Sequence, residues 1–274
     1  MNIWTHKLLV LSDIHITGDG SRIIGLDPSA RFEAALKQAL ERHSDADAMI
    51  LLGDLTHHGT PEAYIDLRQR LAGVGMRALP ALGNHDKREP FLAEFPDAPV
   101  IDGGFVQMEA AFGDWTVLTL DTLDGPPYPP GHHAGWLCEK RLDWLRHQLG
   151  LARGRKTLVF AHHPPFDTGI PGMDRIRLKN GDTLLEMLAN HGDTTLVCGH
   201  IHRTISGTTQ GVPWAMVKST CHQGPLDLGD PDSSLSIDEP GAYGVILLTP
   251  RGPVIHTEDV TETPPVLHRD PGSA

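Results

Sequence analysis

Over the first two thirds of the chain, short apolar runs alternate with stretches whose apolar residues recur every three to four positions. The runs Lys7 to Ser12, Ala48 to Leu52, Arg77 to Leu82, Lys156 to Ala161 and Thr194 to Cys198 predict buried strands. Between them, Phe32, Ala35, Leu36, Ala39 and Leu40 share one face of a helix expected over Pro28 to His43. Thr60 as N-cap and Pro61 at the first helical position predict a second helix that runs to Gly73. A hairpin-like pair, Phe105 to Ala111 and Trp115 to Leu120, turns through Gly113-Asp114 and brings Asp121 to a strand end. The Pro- and Gly-rich stretch Asp124 to Gly135 reads as a loop, followed by an amphipathic helix over Trp136 to Leu149 with Trp136 and Trp144 on its core face. Asp182 to Asn190 predicts a further helix. The last third reads as mostly β, with Val212 to Lys218, Tyr243 to Thr249 and Val254 to Glu258.

This alternation predicts an α/β fold, and 274 residues suit one large domain over residues 1–260. The β-rich final third could add a cap or an oligomer contact. A polar, Pro-rich tail over 261–274 is expected to be poorly ordered. The composition includes 17 His, the side chain that most often ligates metals. A formal charge of −12, no Lys/Arg cluster and only 5% aromatic residues argue against a nucleic-acid polymer as partner. Three scattered Cys exclude a disulfide framework, and Cys198 reads as a buried thiol. With no apolar stretch near the length of a membrane span, the expectation is a cytoplasmic protein without membrane contact.

Five short motifs follow predicted strands: Asp13-Ile14-His15, Gly53-Asp54, Gly83-Asn84-His85-Asp86, His162-His163-Pro164-Pro165 and Gly199-His200-Ile201-His202. In open α/β sheets, ligands gather outside the carboxyl ends of strands. A two-residue spacing lets Asp13 and His15 point to one side of an extended segment. Gly53 would let the backbone approach an ion. Jointly the motifs supply oxygen and nitrogen donors in the number that two metal ions require. Asp86 reads as a loop cap rather than a ligand.

In these motifs the chain resembles the calcineurin-like metallophosphoesterase superfamily over roughly residues 7 to 260. Met173-Asp174, Asn180-Gly181 and Ser219-Thr220-Cys221-His222-Gln223 are similar to the bacterial branch of glycerophosphodiesterases and class III cyclic nucleotide phosphodiesterases. The resemblance implies a four-layer α/β/β/α sandwich of two mixed sheets with flanking helices. It also implies a first metal on Asp13, His15, Asp54 and His202 and a second on Asp54, Asn84, His162 and His200, with Asp54 bridging. The donors contain no thiolate, so two divalent or mixed-valence ions among Fe, Mn, Zn and Co are expected.

The implied reaction is hydrolysis of a small phosphodiester, a cyclic nucleotide or a glycerophosphodiester, by in-line attack of metal-bound hydroxide. His85 would steady the transition state or protonate the leaving oxygen. Better-known relatives orient that His with an Asp three residues after the bridging Asp, where this chain has His57. Asn84, His163, His57 and His222 are the candidate substrate contacts, with Gln223 beside them. His58 reads equally as a substrate contact or a surface residue, and the His132-His133 pair reads as exposed, a lid being the alternative. Hydrolysis of phosphomonoesters or nucleotide pyrophosphates on the same core is the competing reading, and a metal-free scaffold the non-enzymatic one. Relatives that form dimers or larger assemblies imply a homo-oligomer.

Overall fold

The computed structural model describes residues 3–232 and 234–261. The tail expected over 261–274 lies outside them from residue 262 onward. In chain order the elements are β1 (His6–Leu11), α1 (Pro28–Arg42), β2 (Ala48–Leu52), α2 (Pro61–Leu71), β3 (Arg77–Ala81), α3 (Arg88–Glu94), β4 (Met108–Phe112) and β5 (Trp115–Leu120). They continue as α4 (Glu139–Leu151), β6 (Lys156–Ala161), α5 (Pro171–Asp174), α6 (Gly181–His191), β7 (Thr194–Cys198), β8 (Ile205–Thr209), β9 (Val212–Met216), β10 (Ala242–Thr249) and β11 (Gly252–Asp259).

Two mixed sheets form, one in the order β11-β10-β1-β2-β3 and the other in the order β4-β5-β6-β7-β9-β8. β1, β2 and β3 are parallel, with Leu8 opposite Ala48 and Ala48 opposite Arg77. β5, β6, β7 and β9 are likewise parallel in the second sheet. The final third completes both sheets: β10 pairs antiparallel with β1, and β9 with β8.

Alternation of side chains along each strand sorts them into three apolar layers. Leu8, Val10, Ile50 and Leu52 meet Val117, Leu158, Phe160 and Val197 between the sheets. Leu9, Leu11, Met49 and Leu51 point the other way, toward Phe32 and Ala35 of α1 and Tyr64 and Leu67 of α2. Leu118, Leu120, Val159 and Leu196 do the same toward Leu142 and Leu145 of α4 and Leu184 and Leu188 of α6. Helix, sheet, sheet, helix is the four-layer sandwich, and a strand buried on both faces must be a continuous apolar run. At about 1.5–3 kcal/mol for each fully buried Leu, Ile or Phe, these layers are the main source of stability.

Asp27 caps α1 by accepting from Ala30 N, and Thr60 caps α2 by accepting from Ala63 N. α4 starts at Glu139 rather than Trp136. The Trp136 N–H donates to Thr122 O instead of entering a helix, and its ring is exposed; Trp144 alone packs on the second helical layer. Among the described residues, no helix is long and apolar enough to cross a membrane.

The carboxyl ends of β1, β2, β3, β6 and β7 converge where the sheets meet. Ser12 bridges to Ser219 in parallel fashion, and the His200 N–H donates to Asp13 Oδ1 at 3.1 Å, tying one sheet to the other.

Candidate metal centre

Asp13, His15, Asp54, His200 and His202 all have left-handed backbone, with φ of 50°, 55°, 47°, 70° and 54°. This replaces the extended Asp13–His15 segment expected above. Each such residue costs of order 1–3 kcal/mol unless its surroundings over-determine it, and strain of this kind collects at functional sites. Here the surroundings do so: Asp13 N donates to Gly53 O, His15 N to Asp54 O, and Ser219 Oγ to Asp13 O.

The glycines before these residues make room for side chains, not for an ion. A Cβ on Gly83 would lie 2.3 Å from Asp54 Oδ1, and one on Gly53 would lie 2.4 Å from His162 Nδ1.

Two groups of donors share Asp54. In the first, ligand atoms of Asp13, His15, Asp54 and His202 lie within 4.8 Å of one another. His15 Nε2 faces His202 Nε2 at 3.3 Å, and His202 Nε2 lies 3.1 Å from Asp13 Oδ1. In the second, His162 Nε2 lies 3.3 Å from Asp54 Oδ2, and the His162 and His200 rings are 5.1 Å apart. His162 Nδ1 donates to Leu52 O and His202 Nδ1 to His222 O, which turns the other ring nitrogen of each inward.

Three atoms of the second group, Asn84 Oδ1, His162 Nε2 and His200 Nε2, are buried without any hydrogen-bond partner among the described residues. Such orphans are costly and rare, and acceptor atoms of amide and imidazole type beside a carboxylate fit a cation. The local field agrees. Burial opposes an imidazolium at His162, yet the Asp54 and Asp13 carboxylates raise its pKa to about 9. Burial also opposes a charge on Asp54, but His162 and His85 hold that carboxyl well below its ordinary value. Burial, then neighbouring imidazoles, keep His15 and His200 neutral, the form that ligates.

Around this core stand further histidines. His85 N donates to Asp54 Oδ1 at 2.8 Å, and its Nδ1 donates to His57 O at 2.8 Å. The residue that replaces the expected Asp thus orients His85 through its backbone carbonyl, a function that no side-chain pattern reveals. The His57 and His133 rings stack on His85, each 5.1 Å away at 16° and 26°. His57 reaches His15 as well, with 3.3 Å between their Nδ1 atoms. His58 is exposed.

His222 lies against His15 and His202, with centroids at 5.2 and 4.5 Å. Gln223, expected beside the substrate contacts, is instead fully buried away from the cleft lining, bonded to both backbone groups of Ser219. Asp86 accepts from Gly83 N, Leu55 N, Thr56 N and the Tyr64 hydroxyl, the loop-capping role expected of it.

Two further expectations are corrected. His163 was expected to touch phosphate, but it is fully buried and both ring nitrogens are taken, by the Thr122 hydroxyl and His133 O. The expected exposed pair splits: His132 stays at the surface with Asp124, whereas His133 turns inward to Asn84 at 3.0 Å.

The donors open into a cleft of about 320 Å³. His15, His57, His85, His133, His202 and His222 line its floor, while Ile23, Ile24, Met173, Ile176 and Leu235 form an apolar outer wall that the sequence did not announce. Among the described residues, no Lys or Arg lines it.

Known proteins share both the sequence and the fold. The chain is 41% identical over 253 residues to a probable cyclic nucleotide phosphodiesterase of Rhodopseudomonas palustris, covering 91% of each. It is 30% identical to the glycerophosphodiester phosphodiesterase of Enterobacter lignolyticus, over 78% of this chain and 77% of that one. A dimetal phosphatase from Danio rerio has the same fold, with a TM-score of 0.71 and 16% identity over 94% of this chain and 98% of that one. The family profile described as calcineurin-like phosphoesterase matches residues 6–204, and the chain belongs to that family.

Proposed function

We propose that this chain is a dinuclear metal-dependent phosphodiesterase that hydrolyses small diesters, cyclic nucleotides or glycerophosphodiesters. The three orphaned polar atoms beside Asp54 carry this reading, because one cation would satisfy all of them at once. Asp13, His15, Asp54 and His202 would hold one ion, and Asp54, Asn84, His162 and His200 the other. Both would be drawn from Fe, Mn, Zn and Co, which accept this mixture of oxygen and imidazole donors. When bound, such a pair polarises the phosphoryl group and lowers the pKa of an attacking water.

The remaining steps belong to the chain. His85 Nδ1 is committed to His57 O, so Nε2 is the ring atom left for the substrate, and in the imidazolium form it would hold the proton that passes to the leaving oxygen. Burial and neighbouring imidazoles keep His57 and His222 neutral down to about pH 4 and about pH 3, so both can bond phosphoryl oxygens without adding charge. A cleft that no Lys or Arg lines among the described residues suits the single charge of a diester better than the double charge of a monoester. Its apolar wall would take the ester's organic group. Free Cys138, Cys198 and Cys221 support a reducing, cytoplasmic setting.

Turnover of bis(p-nitrophenyl) phosphate against p-nitrophenyl phosphate with Mn²⁺, for the parent and Asp54→Ala, tests the proposal. Diester preference that the substitution abolishes supports it and justifies a panel of cyclic nucleotides and glycerophosphodiesters. Monoester preference, or equal turnover by the variant, overturns it.

A further inference from the structure

An asparagine that offers its carbonyl to a cation must keep its amide from turning over, since the inverted amide presents N–H donors to a positive charge. In Asn84 the two ends differ sharply. Oδ1 is buried with no partner, whereas Nδ2 lies 3.0 Å from His133 Nδ1. The amide has only donors at Nδ2, so His133 Nδ1 is the acceptor of that bond. If the amide were inverted, Oδ1 would face that ring nitrogen, which could keep the bond only as its protonated tautomer, and Nδ2 would turn its N–H donors on the cation.

His133 is itself held in place. It belongs to the Pro- and Gly-rich loop, where nothing in the sequence fixes one ring position. Two contacts fix it: its ring stacks on His85 at 5.1 Å, and its carbonyl accepts from His163 Nε2 at 3.1 Å. His163 can donate there only with Nδ1 unprotonated, and the Thr122 hydroxyl, 2.7 Å away, supplies the proton for that nitrogen. A Cβ on Gly135 would fall 2.6 Å from the His163 ring, so the loop passes directly over it. Thr122, in turn, follows Asp121, whose carboxylate is clamped by Arg88 through Nε at 2.7 Å and Nη2 at 2.8 Å.

We propose that His133 is the positioning residue of Asn84: its ring nitrogen holds the amide so that Oδ1 faces the paired-ion site, and the Thr122–His163 relay holds His133 there. The inference rests on the reading of Asn84 as a metal ligand. It gives the buried His163 a purpose that phosphate contact does not.

The test is Mn²⁺ binding to the metal-stripped full chain by titration calorimetry, with kcat and KM for bis(p-nitrophenyl) phosphate measured beside it. Variants are Asn84→Ala, His133→Ala, His133→Gln and the Asn84→Ala/His133→Ala pair. Asn84→Ala is expected to weaken one of two ions. His133→Ala should weaken that same ion at least tenfold and leave the other unchanged, in the usual range for groups behind a ligand. His133→Gln, whose amide oxygen can accept from Nδ2, should recover most of the loss. In the double variant His133→Ala should add nothing.

If Asn84→Ala leaves both ions as tight as in the parent, the reading of Asn84 as a ligand fails and the proposal fails with it. If Asn84→Ala weakens one ion but His133→Ala weakens neither, only the positioning role is overturned. Equal weakening of both ions by His133→Ala, without recovery by Gln, also overturns it, because that is the signature of a collapsed loop.

Discussion

The backbone carbonyl of His57 accepts a hydrogen bond from His85 Nδ1 at 2.8 Å. An orienting group is therefore present where the sequence lacks the usual carboxylate, and it is insensitive to the side chain at position 57. His57→Ala is expected to lower kcat for a diester by less than about tenfold, while His85→Ala loses about 10²–10⁴-fold. Steady-state rates of the two variants at saturating Mn²⁺ check this.

Gly83→Ala places a methyl 2.3 Å from Asp54 Oδ1 and 2.5 Å from Asp54 N. Overpacking of this kind costs about 1–3 kcal/mol, and here it also displaces the shared carboxylate. The variant should melt earlier and lose Mn²⁺ binding. Gly150→Ala, with open space around it in α4, should melt at or slightly above the parent temperature.

Cations that bind only the folded chain stabilise it in proportion to the logarithm of their concentration, by about 2.7 kcal/mol at a hundredfold excess over Kd. Thermal melts should therefore rise steadily with Mn²⁺ in the parent and fall with chelator. Asp54→Ala should show a much smaller rise, since both donor groups lose their common member.

Stability should decline in acid. Burial first, then neighbouring imidazoles, depress His57 from 6.5 to about 4 and His222 to about 3. Below pH 6.5 the unfolded chain binds these protons and the folded chain does not. The contribution of these two residues is thus fully present above pH 6.5 and is lost as pH falls toward 3. Urea melts of the chelated protein at steps across this window measure the slope, and His222→Asn should flatten it.

Arg88 and Asp121 form a buried ion pair with side-chain exposures of 5% and 0%. Removing Arg88 leaves Asp121 with only the more distant Arg141, 3.8 Å away, at a cost of up to about 3–5 kcal/mol. Arg88→Met should cost that much in a denaturant melt, and Arg88→Met/Asp121→Leu less than the sum of the two single variants.

The strands were the most legible part of the chain. β2, β6 and β7 occupy the expected residues because both faces are buried and the apolar run is unbroken. β8 was not foreseen: Ile-Ser-Gly-Thr-Thr carries one apolar side chain, and its pairing with β9 depends on the left-handed turn at Gln210 and Gly211. α3 was missed as well, being seven residues long with no side-chain cap. The metal-ligand candidates were visible because strand ends deliver them directly. His133 was not, because its position is set by a loop crossing from the second sheet to an asparagine of the first, and no local spacing encodes that crossing.

The donors divide between the halves of the sandwich. Asp13, His15, Asp54 and Asn84 leave the first sheet, and His162, His200 and His202 leave the second. A chain growing from the ribosome has released Asn84 long before His202, so early intermediates hold an incomplete set of donors. On the proposed assignment of ligands, tight capture of both cations would await docking of the two sheets. The cations would thereby act as a late clasp between two layers that share an apolar core.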